Sequence, residues 1–431
     1  MQSVSPRAKS AAAPDLEASL LAYRSLLSQD LKLNMARGVP SAEQLSLSDA
    51  LLGLPGPDDY RAADGTDCRN YMGQQGLPEA RRLFAGVLGV PPENVVVEGN
   101  SSLALMHDCL AYACRAGVPD GDGPWQDVAG GIAFLCPVPG YDRHFKLCEA
   151  FGIRMIPVPL REDGPDLEMV RALVAQDRSI RGIWCVPKYS NPTGTVYSDE
   201  VIKALASMPA AAPDFRIFWD NAYALHHLGE TEVEIANLAE LCVAHGHANR
   251  ALIFASTSKI TYAGAGLGQF GSSTQNVAWY LRHASFRSVG PDKINQLRHV
   301  RFLKDEQGLK ALMRQHRAIL APRFACVIET FESLLGDCDQ VSWTTPSGGY
   351  FITLNVVPGT ARRVVELCHN AGVMLTEAGA PFPGGVDPED RTLRIAPSSP
   401  SLDQIGKAAH AIAVCTRFAA AEKVHGEVLL V

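Results

Sequence analysis

The sequence lacks a long hydrophobic run and an excess of positive charge. No stretch approaches the ~20 consecutive apolar residues of a membrane-spanning helix, and the N-terminal segment has no apolar signal core. The formal net charge is −7, which argues against a nucleic-acid partner because such a partner requires a basic face. We therefore expect a cytoplasmic protein that binds neither nucleic acid nor a membrane.

The cysteines also lack any regular pairing. All 11 are scattered, and none stands in a C-x-x-C pair, so we expect reduced thiols rather than a disulfide framework or a zinc site. Two adjacent histidines, His226 and His227, show no metal-ligand spacing either. We predict no metal. Internal repeats and low-complexity linkers are missing as well, which is typical of an ordinary globular chain.

What the sequence does contain is a series of short strands separated by helical stretches. Most of the strands are continuous apolar runs, the pattern of a largely parallel sheet that helices cover on both faces. We therefore predict an α/β fold. The predicted strands are NVVVEG (94–99), IAFLCP (132–137), IRMIPVPL (153–160), GIWCVP (182–187), RIFWD (216–220) and ALIFAST (251–257).

The pattern changes in the last third of the chain. A long helical stretch leads to GGYFITLNV, another helix, TLRIAP and a closing helix that begins at Ser401. An amphipathic helix also stands near the N-terminus, after an alanine- and serine-rich segment, 1–14, that we expect to be loose. We predict a large ligand-binding domain at 60–305 and a smaller α+β domain formed by 1–59 and 306–431.

Polar side chains collect where five of the predicted strands end. Ligands of open α/β sheets bind beyond the carboxyl ends of the strands. Taken alone, each residue has an ordinary explanation, such as a solvated lysine or a helix cap, but five such ends together indicate a site. The residues are Ser101 and Ser102, Tyr141, Asn191, Asp220 with Tyr223, and Ser256 and Ser258 with Lys259.

These groups suit one type of ligand. Two serines that open a helix after a glycine suit a phosphate, and an aspartate at a strand end suits a protonated ring nitrogen. Asn191 and Tyr223 suit a phenolate oxygen, and the ring of Tyr141 can stack on an aromatic face. A lysine amine reacts with an aldehyde to form a Schiff base. Phosphate, pyridinium, phenolate and aldehyde together describe pyridoxal 5′-phosphate (PLP).

The same segments resemble a known family, the fold-type I PLP-dependent enzymes of the class I/II aminotransferases. The resemblance spans about residues 34–400, and LNMARGVPSAEQLSLS (33–48) resembles a MocR-like or divergent bacterial aspartate aminotransferase subgroup. The resemblance implies a fold-type I architecture. The matching segments, in family order, are YMGQQGLPEAR (71–81), PGYD (139–142), NPTG (191–194), DNAY (220–223), STSK (256–259), PSGGYF (346–351) and LRIAPS (393–398).

The resemblance implies a role for each matching residue around the cofactor. Lys259 would be the Schiff-base lysine and proton shuttle, and Asp220 would keep the pyridine nitrogen protonated. Asn191 and Tyr223 would bind the phenolate oxygen, while Tyr141 would stack on the ring. We take Lys259, Asp220 and Tyr223 as catalytic. The hydroxyls that would hold the phosphate are those of Ser101, Ser102, Ser256 and Ser258.

The resemblance also implies how substrates and a second subunit reach the site. Arg394 would bind the substrate α-carboxylate in a bidentate manner. Asn191 would also contact the substrate, and Gly38 would let the backbone approach it closely. Tyr71 would be supplied by the neighbouring subunit of a homodimer with shared active sites.

One segment departs from the family pattern. The family has an arginine about eight residues after the lysine, whereas this chain has Gly266 and Leu267 there. Either a cation from elsewhere, such as Arg282 or Arg287, neutralises the phosphate, or dipoles and hydroxyls suffice.

The predicted function is transamination of an amino acid with a 2-oxo acid, aspartate with 2-oxoglutarate. Two alternatives stay open on the same scaffold, a PLP-dependent lyase or decarboxylase and an aminotransferase for another amino acid. A PLP-sensing transcription regulator would need an upstream DNA-binding region. We do not expect one, since residues 1–33 precede the matching segment and are not basic.

Overall fold

The computed structural model describes residues 15–426 and residue 429. The expectation for residues 1–14 therefore lies outside the described residues. The strands are β1 (Leu33–Asn34), β2 (Val95–Val97), β3 (Ala133–Val138), β4 (Arg154–Arg161), β5 (Gly164–Pro165), β6 (Ile180–Cys185), β7 (Arg216–Asp220), β8 (Ala251–Ser256), β9 (Gly268–Gly271), β10 (Ser342–Trp343), β11 (Ile352–Asn355), β12 (Val373–Met374) and β13 (Thr392–Ile395). The helices are α1 (Leu16–Leu27), α2 (Ala42–Ser46), α3 (Pro78–Leu88), α4 (Ser102–Ala116), α5 (Asp142–Ala150), α6 (Leu167–Gln176), α7 (Asp199–Ser207), α8 (Leu238–Ala244), α9 (Thr274–Ala284), α10 (Lys293–Leu303), α11 (Glu306–Leu335), α12 (Ala361–Asn370) and α13 (Leu402–His425).

The main sheet has eight strands in the order β2-β9-β8-β7-β6-β3-β4-β5. The central strands β8, β7, β6, β3 and β4 are parallel, whereas β9 runs antiparallel to both of its neighbours. All six strands predicted from the sequence are present. Strand β9 was not predicted, because its sequence GQFG has two glycines and no β-branched residue, so it carries no local strand signal. The predicted α/β fold with a mostly parallel sheet is confirmed.

Two hydrophobic layers cover the sheet, one on each face. Along β7, Ile217 and Trp219 face one layer and Phe218 faces the other, as the period of two along a strand requires. Helices α3, α6, α7, α8 and α10 contribute to the first layer, and α4, α5 and α9 to the second. Covering both faces buries the central strands β3, β6, β7 and β8 almost completely, which explains their continuous apolar sequences.

A second core lies around the three-stranded antiparallel sheet β10-β11-β13. The N-terminal helix α1 belongs to this core, because Tyr23 stacks on Phe418 of α13 at 5.1 Å between ring centres. The closing helix begins after Ser401, whose side chain accepts a hydrogen bond from the backbone of Gln404 in a capping box. Residues from both ends of the chain thus build one α+β unit.

The long helix α11 contributes to both cores. Leu309 and Leu312 pack into the first core, whereas Val327 and Phe331 pack into the second. The sequence indicated one continuous helical stretch here, but the structure interrupts it at Lys304, which has a φ of 66°. The proposed division into 60–305 and the remaining residues stays a prediction, since α11 is shared.

Two further findings concern the part of the chain that the structure describes. None of its helices is long and apolar enough to cross a membrane, and it holds no cluster of three or more histidine, cysteine or acidic side chains arranged to bind a metal ion. The cysteines are free thiols, most of them buried.

Candidate active site

A cavity of about 150 Å³ opens at the carboxyl ends of strands β3, β6, β7 and β8. Parallel strands bring their carboxyl ends to the same edge of a sheet, so residues far apart in sequence meet there. The structure brings together nine of the ten residues that the sequence assigned to the cofactor. They are Ser101, Ser102, Tyr141, Asn191, Asp220, Tyr223, Ser256, Ser258 and Lys259.

Lys259 lies in the turn that follows β8, with its side-chain amine directed toward aromatic rings. Its Nζ is 5.1 Å from the ring centre of Tyr223 and 5.9 Å from that of Tyr350. Burial lowers the pKa of Lys259 below its ordinary value of 10.5, and the carboxylate of Asp220 opposes that shift. A lowered pKa makes more of the neutral, nucleophilic amine available near neutral pH.

A buried polar cluster fixes the backbone of this turn. The carbonyl oxygen of Lys259 lies 3.3 Å from Nε2 of His226 and accepts a 3.5 Å hydrogen bond from the Tyr350 hydroxyl. His316 Nε2 lies 2.8 Å from the carbonyl oxygen of Ile260, and Gln44 of α2 contacts both His316 and Tyr350. The sequence pattern did not indicate this cluster, because its members come from four separate segments.

Asp220 ends strand β7 and is buried. Its Oδ2 lies 3.1 Å from Nε2 of His144, and its Oδ1 has no hydrogen-bond partner although it is buried. A buried carboxylate oxygen without a donor is costly, so this atom fits a ligand that brings a donor of its own. A protonated ring nitrogen is such a donor, and the residues present therefore fit the pyridine ring of PLP.

His144 is a site residue that the sequence analysis missed. It stands one helical turn after Tyr141, and its ring stacks on Trp184 with centres 4.3 Å apart and planes 9° apart. The stacking holds the imidazole against Asp220. The available signal was the spacing of three residues from Tyr141, which places both side chains on the same side of the first turn of α5.

The opposite end of the cavity presents hydroxyls and a helix N-terminus. Ser101 caps α4 by accepting a 3.2 Å hydrogen bond from the Leu103 N–H. Ser256 donates to Ser258 over 3.1 Å, and Ser258 in turn donates to the carbonyl oxygen of Asn100 over 3.3 Å. The first N–H groups of α4, the positive end of its dipole and these hydroxyls fit a phosphate group.

The segment that lacks the family's arginine is tightly packed at Gly266. A Cβ atom at Gly266 would lie 2.9 Å from Thr257 Oγ1 and 3.0 Å from the Tyr262 carbonyl oxygen, so there is little room for a side chain. Arg287 does not replace it, because it pairs with Glu98 at 2.5 Å and with Asp108 at 3.2 Å.

Arg282, the other candidate for this role, is exposed, and neither arginine lines the cavity. Neither arginine therefore offers a cation to the phosphate end of the cavity in its own subunit. This end of the cavity offers a phosphate the dipole of α4, backbone N–H groups and serine hydroxyls.

Arg394 lies on β13, in the second core unit, with 8% of its side chain exposed. Its Nη1 donates to Asn191 Oδ1 over 3.4 Å and to Asp142 Oδ1 over 2.8 Å. Its Nη2 donates to Thr376 Oγ1 over 3.4 Å. Arg394 and Asn191, two of the residues predicted to bind the substrate, are thus in contact, and Asp142 and Thr376 are partners that the sequence analysis did not name.

Gly38 lies close to the same arginine through Phe351. A Cβ atom at Gly38 would lie only 2.5 Å from Cζ of Phe351, and the Arg394 guanidinium carbon lies 5.0 Å from the centre of that ring. Glycine at position 38 therefore permits the N-terminal segment to pack closely on Phe351. The three residues predicted to contact the substrate, Gly38, Asn191 and Arg394, share one region.

Tyr71 is the one predicted cofactor residue that does not line the cavity. Its side chain is 74% exposed, and that of the next residue, Met72, is 76% exposed. Lys293 holds this loop by donating a 2.7 Å hydrogen bond to the Met72 carbonyl oxygen. Val289, which contacts the loop, is exposed as well, as is Phe286.

Comparison with known proteins places the chain in a family. The family described as "Aspartate amino-transferase" matches residues 8–428. A Mycolicibacterium smegmatis protein whose name gives an aminotransferase without a substrate is 52% identical over 407 residues, which are 94% of this chain and 95% of that protein. An aspartate aminotransferase of Corynebacterium glutamicum is 47% identical over 400 residues, 93% of this chain and 92% of that protein.

A crystal structure agrees with these matches. That of an aspartate transaminase from Corynebacterium glutamicum superposes with a TM-score of 0.92 at 47% identity, covering 94% of this chain and 96% of the other. The finer assignment to a MocR-like subgroup stays a prediction. Since the family match spans nearly the whole chain and the cavity fits the cofactor, this protein belongs to the aspartate aminotransferase family of PLP-dependent enzymes.

Proposed function

We propose that the enzyme transfers the amino group of aspartate to 2-oxoglutarate. The observation that carries this proposal is a cavity lined by an amine of lowered pKa at Lys259 and an unpaired buried oxygen at Asp220, with the guanidinium of Arg394 in contact with the cavity-lining Asn191. Aspartate is the substrate in the name of the Corynebacterium glutamicum relative, which is 47% identical. That identity supports the same substrate for this chain.

The residues around the cavity divide the chemical work. PLP, when bound, supplies an electron sink for the carbanion that forms at the substrate Cα. Lys259 would hold the cofactor covalently through Nζ and, once a substrate amine has taken its place there, the freed amine would move the Cα proton. Asp220 Oδ1 would accept a hydrogen bond from a protonated ring nitrogen, while His144 Nε2 fixes the other carboxylate oxygen. Tyr223 and Asn191 would donate to the phenolate oxygen.

Substrates are held from the other core unit. Arg394 binds the α-carboxylate, since a guanidinium matches a carboxylate through two parallel hydrogen bonds. The ring of Tyr141 would stack on the cofactor, and burial raises the pKa of its hydroxyl, so it stays neutral there. Ser101, Ser102, Ser256 and Ser258 hold the phosphate.

The active form is a homodimer in which Tyr71 completes the partner subunit's phosphate site. This is supported by exposed apolar side chains that lie together at Tyr71, Met72 and Val289. Sedimentation should report a species near twice 46.3 kDa. A monomer with full activity would rule out the shared site.

An amino-donor screen tests the substrate assignment. The purified holoenzyme is incubated with 2-oxoglutarate and each amino acid, and formation of glutamate is measured. Aspartate should give the highest kcat/KM. If another amino acid gives a higher kcat/KM than aspartate, that amino acid is the preferred donor and the aspartate assignment is wrong. Release of carbon dioxide without formation of glutamate would support the alternative of a decarboxylase.

A further inference from the structure

The arginine that binds the α-carboxylate already has a carboxylate partner. Asp142 Oδ1 accepts a hydrogen bond from Arg394 Nη1 at 2.8 Å, the shortest contact that the guanidinium makes. The two residues come from different core units, 252 positions apart. A substrate carboxylate that approaches Arg394 therefore meets a side chain of its own chemical class.

The remaining contacts of the guanidinium leave hydrogen-bonding capacity for a ligand. Nε of Arg394 is buried without a hydrogen-bond partner, and Nη2 makes a long contact of 3.4 Å with Thr376. Nη1 and Nη2 together form an edge that can hold a bidentate carboxylate. Asp142 occupies part of that edge, and its side chain is 30% exposed, so it has a route into solvent.

The position of Asp142 connects it with the cofactor side. It is the first residue of α5, directly after Tyr141, and His144 in the same turn contacts Asp220. A carboxylate in the first turn of a helix is stabilised by the helix dipole even when it has no ion-pair partner. Asp142 can therefore release Arg394 without becoming an uncompensated buried charge.

We infer that Asp142 is an internal competitor for the substrate α-carboxylate. In the free enzyme it neutralises and orients Arg394, and an incoming amino acid or 2-oxo acid displaces it from Nη1. The effect is to weaken binding of both substrates by a similar factor, which sets their KM values. This inference rests on the proposed role of Arg394.

One substitution separates competition from orientation. Asp142→Asn keeps an oxygen that accepts from Nη1 but removes the negative charge. Binding of succinate, an unreactive dicarboxylate, to the holoenzyme is measured by calorimetry, together with KM for aspartate and 2-oxoglutarate. Asp142→Asn should bind succinate roughly three- to tenfold more tightly, the range expected for a partly exposed charge. Both KM values should fall by a similar factor.

A matched control removes an equal charge elsewhere. Asp403 is exposed on α13 and pairs with Lys407, so Asp403→Asn should leave succinate binding unchanged. If Asp142→Asn binds succinate as the unaltered enzyme does, or more weakly, Asp142 only orients Arg394 or has no role, and the inference is overturned.

Arg394→Ala distinguishes this outcome from a failure of the proposed function. It should abolish succinate binding while the cofactor's visible absorbance is kept. If Arg394→Ala still binds succinate normally, the α-carboxylate anchor itself is wrong. If binding is lost in Arg394→Ala but not tightened in Asp142→Asn, only the competition is wrong.

Discussion

The cofactor half of the site and its substrate half differ in where their residues come from. The cofactor half, defined as the nine cavity-lining residues predicted from the sequence, stands almost entirely at the strand ends of one sheet. The substrate half, Gly38, Arg394 and their contacts, joins segments from both ends of the chain. The first half is fixed by sheet topology, whereas the second depends on how the two core units meet. A substitution in one half should therefore impair the function of that half and leave the function of the other half largely unchanged.

The largest effect is expected for Lys259→Ala. Losing both the nucleophile and the proton carrier should lower turnover on the order of 10⁶-fold, the scale seen when a catalytic nucleophile is removed. The matched control is Lys188→Ala. Lys188 lines a separate cavity, and burial lowers its pKa to about 8. Steady-state kinetics should give near-normal turnover for the control. Comparable losses in the two variants would mean that Lys259 has no special role.

Asp220→Ala should follow, with a loss of about 10³-fold or more, because a preorganised charge at the reacting group is removed. Cofactor retention on gel filtration should fall as well. Near-normal turnover of Asp220→Ala would show that Asp220 has only a structural role.

His144→Phe keeps a ring to stack on Trp184 but loses the contact with Asp220. Its turnover should fall about tenfold to a hundredfold.

Arg394→Ala should impair the substrate half and leave the cofactor half intact. Losing one partner of a buried charge pair costs about 2–5 kcal/mol, which corresponds to roughly a 30-fold to several-thousand-fold loss in kcat/KM. Both half-reactions should suffer, and the cofactor's visible spectrum should persist because Lys259 and Asp220 lie in the other half. A loss confined to one substrate would show that Arg394 contacts a side chain instead.

The smallest effect concerns stability. Burial first, and then the nearby charges of Lys259 and His316, lower the pKa of His226 to about 3. The unfolded chain has an ordinary histidine pKa near 6.5, so between these values it binds a proton that the folded protein does not. Stability should therefore fall as the pH drops below about 6.5, by about 1.4 kcal/mol per pH unit for each such histidine.

His226→Asn should flatten this dependence, whereas His410→Asn, an exposed site on α13, should not. Urea unfolding at several pH values between about 6.5 and 5 measures the difference, in the range where most carboxylates are still ionised. An unchanged slope in His226→Asn would show that His226 is protonated in the folded protein.

The sequence predicted the cofactor half because its signals are local. Each strand is a short apolar run, and the polar residue at its end carries the chemistry, so the parallel topology alone brings Asp220, Asn191 and Lys259 together. Strand β9 was not predicted because its glycines give no strand signal. It completes the sheet through pairing with β2 and β8.

The substrate half could be predicted only in part. The resemblance pointed to Arg394 and Gly38, but the partners Asp142 and Thr376 depend on tertiary packing that no local pattern encodes. For Arg287 the sequence position suggested a role that the tertiary contacts do not support. It is a plausible phosphate cation by sequence position, yet its contacts with Glu98 and Asp108 engage it elsewhere.

Whether Lys259 carries the cofactor can be tested by chemical labelling. Holoenzyme is treated with borohydride, digested, and its peptides are mapped by mass spectrometry. We expect a stable pyridoxyl group on the peptide that contains Lys259. A label on the peptide of Lys188 or of Lys146, or no label on any lysine, would contradict it.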